Sequence, residues 1–221
     1  SFPKNHSFFL FGPRGTGKTH LLREFFKNVP CLYIDLLEPD THQNLSLRPK
    51  ALEEQIESLP PKTRWVIIDE IQKVPKLLDV VHRQIETRPI FFALTGSSAR
   101  KLKTTGANLL AGRAFVNYIF PLTSRELGNS FSLPACLRWG SLPKLFSFKS
   151  DAEKRDYLRA YTHTYLQEEI TQEQVVRNLD PFRRFLVIAA QMSGQIINFS
   201  RIARDAGASV PTVQSYFQII E

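Results

Sequence analysis

Eight residues near the start of the chain have the types and spacing of a loop that binds phosphate. They follow the pattern GxxxxGK[ST], directly after an apolar run and before an apolar helix. The glycines let the backbone curl so that successive amides face an anion, and the following helix directs its positive dipole end to the same place. We expect Lys18 to reach the β- and γ-phosphates of a nucleotide and Thr19 to ligand Mg²⁺. The expected nucleotide-binding residues are Gly12, Pro13, Arg14, Gly15, Thr16, Gly17, Lys18 and Thr19.

Two adjacent carboxylates, Asp69 and Glu70, end a later apolar run that starts at Trp65. A buried strand would deliver them to the carboxyl edge of a sheet, where ligands of open α/β sheets bind. We expect Asp69 to hold Mg²⁺ and Glu70 to polarise the water that attacks the γ-phosphate. The pair could instead cap the next helix. Together with the glycine-rich loop it favours catalysis, and it argues against a small-molecule kinase, which needs an acceptor pocket.

Three further residues are candidates for the same site. Thr95 and Ser97 end another apolar run, and either hydroxyl could sense the γ-phosphate, although a polar turn with Ser98 as a helix cap explains them as well. Arg113 follows the end of a predicted helical segment. It could contact the nucleotide of its own chain or of a neighbour as an arginine finger does, or it could form a surface ion pair.

The elements that must position these residues are strands alternating with helices. Five short apolar runs predict strands over 7–11, 31–36, 65–69, 90–95 and 114–120. Helical spacing of apolar residues predicts helices over 20–28, 48–59 and 76–86. After Pro121 the pattern becomes helical, with helices predicted over 151–170 and 181–192. This order is typical of an α/β domain with a parallel five-stranded sheet, followed by an α-helical region.

The last part of the chain has the spacing of a helix-turn-helix. Ala203 lies four residues before Gly207, and Val213 lies six after it. The second helix would show amides and hydroxyls to a DNA groove but carries no Lys or Arg, so phosphate contacts would depend on upstream arginines. Contact with protein is therefore an equal alternative to DNA binding. The residues that would contact DNA are Arg201, Arg204, Thr212, Gln214 and Gln218.

Composition bounds the remaining possibilities. A hydrophobic fraction of 43% with 23% charged residues excludes disorder, and no run approaches the ~18 apolar residues that a membrane span needs. Two cysteines, Cys31 and Cys136, are too few for a disulfide framework and fit a cytoplasmic location. The net charge of +8 suits a polyanionic partner. Because the chain begins with Ser1 and has Met192 as its single methionine, we expect a fragment of a longer protein.

These motifs together resemble the P-loop ATPases of the AAA+ class. GPRGTGKT, VIIDE, LTGSS and LAGR, followed by FPLTSREL, are similar to prokaryotic predicted AAA+ superfamily ATPases that usually continue into a C-terminal domain of unknown function. WGSLP and the segment 161–170 fit that family too. The resemblance implies a three-layer α/β/α fold with an additional strand between the Walker A and Walker B strands, ATP and Mg²⁺ as ligands, slow hydrolysis and a winged-helix-like region.

We expect three regions: a P-loop ATPase core over 1–127, a helical lid or linker over 128–180, and a helix-turn-helix over 181–221. The favoured function is a Mg²⁺-dependent ATPase that couples its nucleotide state to the C-terminal helices. The alternatives are a nucleotide-switched DNA-binding regulator and an assembly protein with little turnover. The candidate partners are ATP or ADP, a second copy of the chain, double-stranded DNA and a protein client, and we expect no membrane contact.

Overall fold

The chain folds into two compact units, Ser1–Asp151 and Ala152–Glu221. The structure, a computed structural model, describes residues 2–97, 102, 110–165 and 179–220. Ser98 and the second half of the 161–170 motif lie outside the described residues. Five strands belong to the first unit: β1 (Ser7–Phe11), β2 (Cys31–Asp35), β3 (Trp65–Asp69), β4 (Phe91–Gly96) and β5 (Ala114–Tyr118).

All five strands form one parallel sheet in the order β2-β3-β4-β1-β5. β4 therefore lies between β1, which precedes the glycine-rich loop, and β3, which ends in Asp69. This confirms the strand order implied by the resemblance to AAA+ proteins. Both motifs follow carboxyl ends of parallel strands, so they meet at the same edge of the sheet.

The side chains of the strands alternate between two buried cores. On one face, Phe8 and Leu10 pack with Leu22 of the first helix. On the other face, Phe9 and Phe11 belong to a larger core that includes residues of the helices preceding and following β3. Because successive strand residues point to opposite faces, a run of apolar residues such as SFFLF requires cover on both sides. The predicted three-layer α/β/α architecture is confirmed.

The helices of the first unit fall mainly where apolar periodicity predicted them, with additions. The short ones that periodicity missed begin at polar caps: Glu38 accepts hydrogen bonds from the amides of Asp40 and Thr41, and Thr123 forms a capping box with Glu126. The helices are α1 (Lys18–Phe25), α2 (Pro39–Leu47), α3 (Ala51–Glu57), α4 (Leu77–Thr87), α5 (Ser124–Leu127) and α6 (Leu133–Trp139). Single 3-10 turns occupy Ile71–Lys73, Gly128–Ser130 and Pro143–Ser147.

The described residues of the second unit form helices α7 (Asp151–Tyr165, which begins at the boundary), α8 (Leu179–Gln191), α9 (Phe199–Ala206) and α10 (Val210–Ile220). α9 ends at Gly207 in the left-handed conformation, and the amide of Ala208 donates to the Ala203 carbonyl over 2.9 Å. The core is aromatic, with Phe182 and Phe185 of α8 against Tyr216 of α10. The α-helical C-terminal region is confirmed, while the winged-helix ending stays a prediction.

Candidate functional site

The glycine-rich loop between β1 and α1 adopts backbone conformations that require its glycines. Gly15 and Gly17 have φ of 75° and 92°, in the left-handed region that a side chain rarely adopts. A Cβ at Gly12 would lie 2.1 Å from the backbone oxygen of Ile119, because the loop passes close to the chain that follows β5. α1 has no side-chain cap at Gly17, so no side chain covers the positive end of the helix dipole at this loop.

Lys18 is held inside this loop. Its ammonium donates to the carbonyls of Gly12 over 2.7 Å and Pro13 over 3.1 Å, and its side chain is buried. The Thr16 hydroxyl donates to the same Pro13 carbonyl over 2.7 Å. A buried ammonium must be hydrogen-bonded, and these loop carbonyls satisfy it at the place where the sequence predicts phosphate.

Asp69, at the end of β3, is the centre of a hydrogen-bond network. Its Oδ2 accepts from the hydroxyl of Thr19 over 2.7 Å and from the phenol of Tyr33 over 2.6 Å. Its Oδ1 accepts from Thr95, whose hydroxyl in turn accepts from the Glu70 amide over 2.9 Å. The site thus joins residues from β1–α1, β2, β3 and β4, and it brings together three of the predicted motifs.

Glu70 has a left-handed backbone, with φ 62° and ψ 46°, which is uncommon for a residue with a side chain. Its carboxylate accepts from the side-chain amide of Gln72, and that amide also lies 3.5 Å from the Ser97 hydroxyl. The Gln72 Oε1 atom is buried without a hydrogen-bond partner. It lies against Gly96, where a Cβ would come within 2.8 Å of it.

A cavity of about 520 Å³ opens beside this network, large enough for a nucleotide. It is lined by the loop, by α1, by Glu70 and by Leu37, which follows β2. Asp69, Thr95 and Ser97 are in the described part of the chain but are not among the lining residues, and Asp69 and Thr95 are buried. The lining residues are Arg14, Gly15, Gly17, Lys18, Thr19, His20, Arg23, Leu37 and Glu70.

Arg113 lies away from these residues. It immediately precedes β5, whose first residue Ala114 pairs with Ser7 at the amino edge of the sheet, whereas the loop follows Phe11 at the carboxyl edge. Its Nε donates to Glu86 over 2.8 Å, and this hydrogen bond lowers the pKa of Glu86. Within one chain the ion pair accounts for Arg113, so its contact with a nucleotide stays a prediction for a neighbouring chain.

The residues predicted to contact DNA lie on the second unit. Arg201 and Arg204 of α9 are exposed, and both pair with Asp205, over 3.8 and 3.5 Å. Ser209 caps α10 by accepting from the Thr212 amide over 3.3 Å. Gln214 and Gln218 are exposed on α10. DNA contact by these residues stays a prediction.

Sequence reasoning missed five side chains of the site, of which His20, Arg23 and Leu37 line the cavity and Tyr33 and Gln72 belong to the hydrogen-bond network. The sequence signal available for Tyr33 was its hydroxyl group near the carboxyl end of β2, the strand that pairs with β3. Gln72 follows Glu70 by two residues, and Arg23 follows Thr19 by four, which places it one helical turn further on α1.

Comparison with known families assigns the first unit. Residues 4–128, more than half of the chain, match the family model described as the AAA domain. The chain belongs to this family. Residues 131–221 match a second model, described as a domain of unknown function. The resemblance drawn from the motifs, an AAA+-like P-loop ATPase followed by a domain of unknown function, is therefore confirmed.

Relatives of this AAA-domain protein include two uncharacterized mycobacterial proteins, one from Mycobacterium tuberculosis and one from Mycobacterium bovis. Each is 28% identical over 214 residues, which is 96% of this chain and 46% of the relative. The chain thus spans about half the length of these relatives. Among solved structures, the Walker-type ATPase of Pyrococcus abyssi aligns with 98% of this chain and 85% of its own, with a TM-score of 0.56 and 16% identity. This similarity supports the fold alone.

Every helix in the described ranges is too short or too polar to cross a membrane.

Proposed function

We propose that the first unit binds a nucleoside triphosphate with Mg²⁺ and hydrolyses its terminal phosphoanhydride bond. The observation that carries this proposal is the 2.7 Å hydrogen bond between the hydroxyl of Thr19 and the carboxylate of Asp69. It joins the last residue of the glycine-rich loop to the last residue of β3, so the two halves of a phosphate and metal site lie together.

Each residue has a role that its surroundings support. The loop amides and the ammonium of Lys18 would bind the phosphates, with Lys18 exchanging the Gly12 and Pro13 carbonyls for phosphate oxygens. Glu70 lines the cavity, and its carboxylate would accept a proton from the attacking water. In the proposed resting state the side-chain amide of Gln72 donates a hydrogen bond to that carboxylate. This hydrogen bond must break before Glu70 can accept one from the water.

The oxygen atoms of Thr19 and Asp69 fit Mg²⁺, a hard cation that prefers oxygen ligands. Among the described residues no group of three or more His, Cys, Asp or Glu could hold a metal alone. Mg²⁺ is commonly bound by one or two protein oxygens together with phosphates and waters, and the Thr19–Asp69 pair matches that composition. When bound, the ion would neutralise charge on the β- and γ-phosphates.

Thr95 and Ser97 are proposed to act through different neighbouring residues. Thr95 holds Asp69 and the Glu70 amide, so it would fix the geometry of the acidic pair. Ser97 is closer to Gln72 and would respond when the Gln72 amide moves. Through either contact, Thr95 or Ser97 would respond to the γ-phosphate by way of Asp69 and Glu70.

Arg113 is proposed to act on the nucleotide of a second copy of the chain, because its own chain holds it at the opposite edge of the sheet. Mixing Arg113→Ala protein with Glu70→Gln protein tests this arrangement. Recovered hydrolysis would indicate that the two groups serve one site from different chains. Full activity of Arg113→Ala alone would contradict it.

The output of nucleotide turnover is proposed to be a change passed to the C-terminal helices. The helix-turn-helix shape of α9 and α10 favours DNA as a second candidate partner, and its lack of basic residues on α10 favours protein equally. A nucleotide-switched DNA-binding regulator and an ATP-dependent assembly protein with little turnover are therefore the alternatives to an ATPase that couples its nucleotide state to these helices.

The decisive experiment measures whether nucleotide stabilises the fold. ATP with Mg²⁺ should raise the melting temperature of the wild type, because a ligand present at ~100 times its Kd adds about 2.7 kcal/mol to the free energy of unfolding. Lys18→Ala should lose this gain, whereas Lys27→Ala, an exposed lysine just after α1 that pairs with Glu24, should keep it. No shift in the wild type, or an equal shift in Lys18→Ala, would refute nucleotide binding at this site.

A further inference from the structure

Tyr33 contacts the proposed metal ligand although it belongs to none of the sequence motifs. Three hydroxyls converge on Asp69, from Thr19, Tyr33 and Thr95. Tyr33 reaches it from β2, the neighbour of β3 at the edge of the sheet. In the strand register Tyr33 pairs with Ile67, so its ring must extend toward the carboxyl edge to place the phenol 2.6 Å from Asp69 Oδ2.

Arg23 of α1 packs on the ring of the same tyrosine. Its guanidinium carbon lies 5.4 Å from the centre of the Tyr33 ring, within the range of a cation–π contact. Because an ionised carboxylate can only accept, the phenol donates its proton to Asp69.

The hydrogen bonds restrict how the carboxylate can turn. Oδ1 is fixed by Thr95, and Oδ2 carries two donors, Thr19 and Tyr33. Of the about four lone-pair positions of the carboxylate, one on Oδ1 is left. The carboxylate is therefore already held in one orientation before a metal-bound water approaches it, and binding the water costs less conformational entropy. Thr19 would itself ligand the metal, so Tyr33 and Thr95 are the donors with no other proposed role at the metal.

We propose that Tyr33, oriented by Arg23, is a positioning residue that tunes the affinity of the Asp69 site for Mg²⁺. This inference rests on the proposed function, since it requires Asp69 to serve the metal of a nucleotide complex. Loss of a hydrogen bond to a metal ligand typically lowers metal affinity by ~10- to 100-fold. The effect should therefore be seen in the dependence on Mg²⁺, not in the affinity for nucleotide alone.

Calorimetric titration of ATP with Mg²⁺ and with EDTA separates the two quantities. Tyr33→Phe removes one oxygen and keeps the ring that packs beside the core. We expect its affinity for ATP in EDTA to stay within about twofold of the wild type, while the Mg²⁺ concentration for half-maximal tightening rises ~10-fold. Tyr118→Phe, which changes an exposed tyrosine on β5, should match the wild type in both.

Arg23→Gln tests whether Arg23 orients Tyr33. Because Arg23 would act through the phenol, the double variant with Tyr33→Phe should need no more Mg²⁺ than Tyr33→Phe alone. If the effects of the two substitutions on the Mg²⁺ requirement add, Arg23 does not act on Asp69 through Tyr33.

Three results would overturn the role of Tyr33, and the first of them leaves the proposed function intact. A Tyr33→Phe protein with a lower melting temperature but a wild-type dependence on Mg²⁺ would show that the phenol only stabilises the fold. Wild-type protein that binds ATP equally in Mg²⁺ and EDTA would remove the metal site on which the inference depends. If the wild type binds no ATP at all, both the proposed function and the inference are wrong.

Discussion

Polar side chains are arranged in opposite ways in the two units. In the first, Lys18, Asp69 and Thr95 are 5%, 1% and 0% exposed. Lys18 is hydrogen-bonded within its loop, and Asp69 and Thr95 are hydrogen-bonded to groups from other elements of the sheet. In the second, the side chains of Arg201 and Arg204 are 68% and 79% exposed and pair only locally, with Asp205. Buried polar groups must find partners, so their positions restrict the chemistry. Exposed ion pairs are weak and leave the ligand undetermined.

The comparison also separates two kinds of motif. A glycine-rich loop is defined by backbone conformations that serve an anion, so its sequence pattern carries its function. A helix-turn-helix is defined by packing around a turn, which serves DNA or protein equally well. Substitutions in the second unit should therefore change stability first, and substitutions in the first unit should change chemistry first.

The largest expected effect is on the core of the second unit. Phe185 is fully buried and contacts the rings of Phe182, Tyr216 and Phe217. Phe185→Ala should lower the free energy of unfolding of this unit by ~3 to 5 kcal/mol, measured by hydrogen exchange of α8 to α10. Val187→Ala, on the exposed side of α8, should change it by less than ~0.5 kcal/mol. Equal effects would mean that the aromatic core does not stabilise the unit.

The next effect is on turnover in the first unit. Glu70→Gln should keep the affinity for ATP and slow hydrolysis by ~10²-fold or more, because an amide cannot accept the proton of the attacking water. Glu57→Gln, an exposed carboxylate that pairs with Arg88, is the matched control and should hydrolyse at the wild-type rate. Unchanged hydrolysis by a contaminant-free Glu70→Gln preparation would reject the general-base role.

A smaller effect is expected at the turn of the helix-turn-helix. Gly207 has φ 69° and ψ 40°, and a Cβ there would lie 3.1 Å from the flexible end of Arg184, so backbone strain is the main cost of a side chain. Gly207→Ala should lower the stability of the second unit by ~1 kcal/mol in denaturant unfolding. Asn adopts this conformation more readily, so Gly207→Asn should lose less. A larger loss of stability in Gly207→Asn than in Gly207→Ala would mean that steric crowding against Arg184 costs more than backbone strain.

The smallest effect concerns DNA, and it decides what the second unit contacts. If this unit binds DNA, replacing Arg201 and Arg204 by Ala together should weaken binding to all sequences. It should also reduce the slope of log affinity against log salt by up to about two. Gln214→Ala with Gln218→Ala should alter sequence preference more than salt dependence. Fluorescence anisotropy that detects binding insensitive to salt and to the arginines would leave protein contact as the role of the module.

The sequence predicted the sheet well because each strand is short, apolar and bounded by breakers. β1 and β3 match their predicted bounds, and β2, β4 and β5 differ by one or two residues at their ends. Helix α2 was missed because its sequence, PDTHQNLSL, has one buried apolar residue, Leu45, and therefore almost no periodicity. A helix that is stabilised by its cap and buries one apolar side chain cannot be predicted from hydrophobic periodicity.

The candidate site was predictable to the extent that motifs fix it. The loop, Asp69 and Glu70 come together as expected, since parallel strands end at one edge. Tyr33 was not predictable, because its reach to Asp69 depends on the register between β2 and β3, which no local pattern encodes. The distance of Arg113 from the cavity likewise follows from which end of β5 it precedes.

The strand order has a consequence for how the protein is made. β1 pairs only with β4 and β5, which end at Gly96 and Tyr118, whereas β2 and β3 pair with each other. As the chain leaves the ribosome, the strand that carries the glycine-rich loop has no partner until most of the first unit has been synthesised. The β2–β3 pair can form earlier, from a shorter length of chain. The proposed nucleotide site is therefore among the last parts of the sheet to assemble, and a nucleotide that binds there would stabilise the unit only after that point.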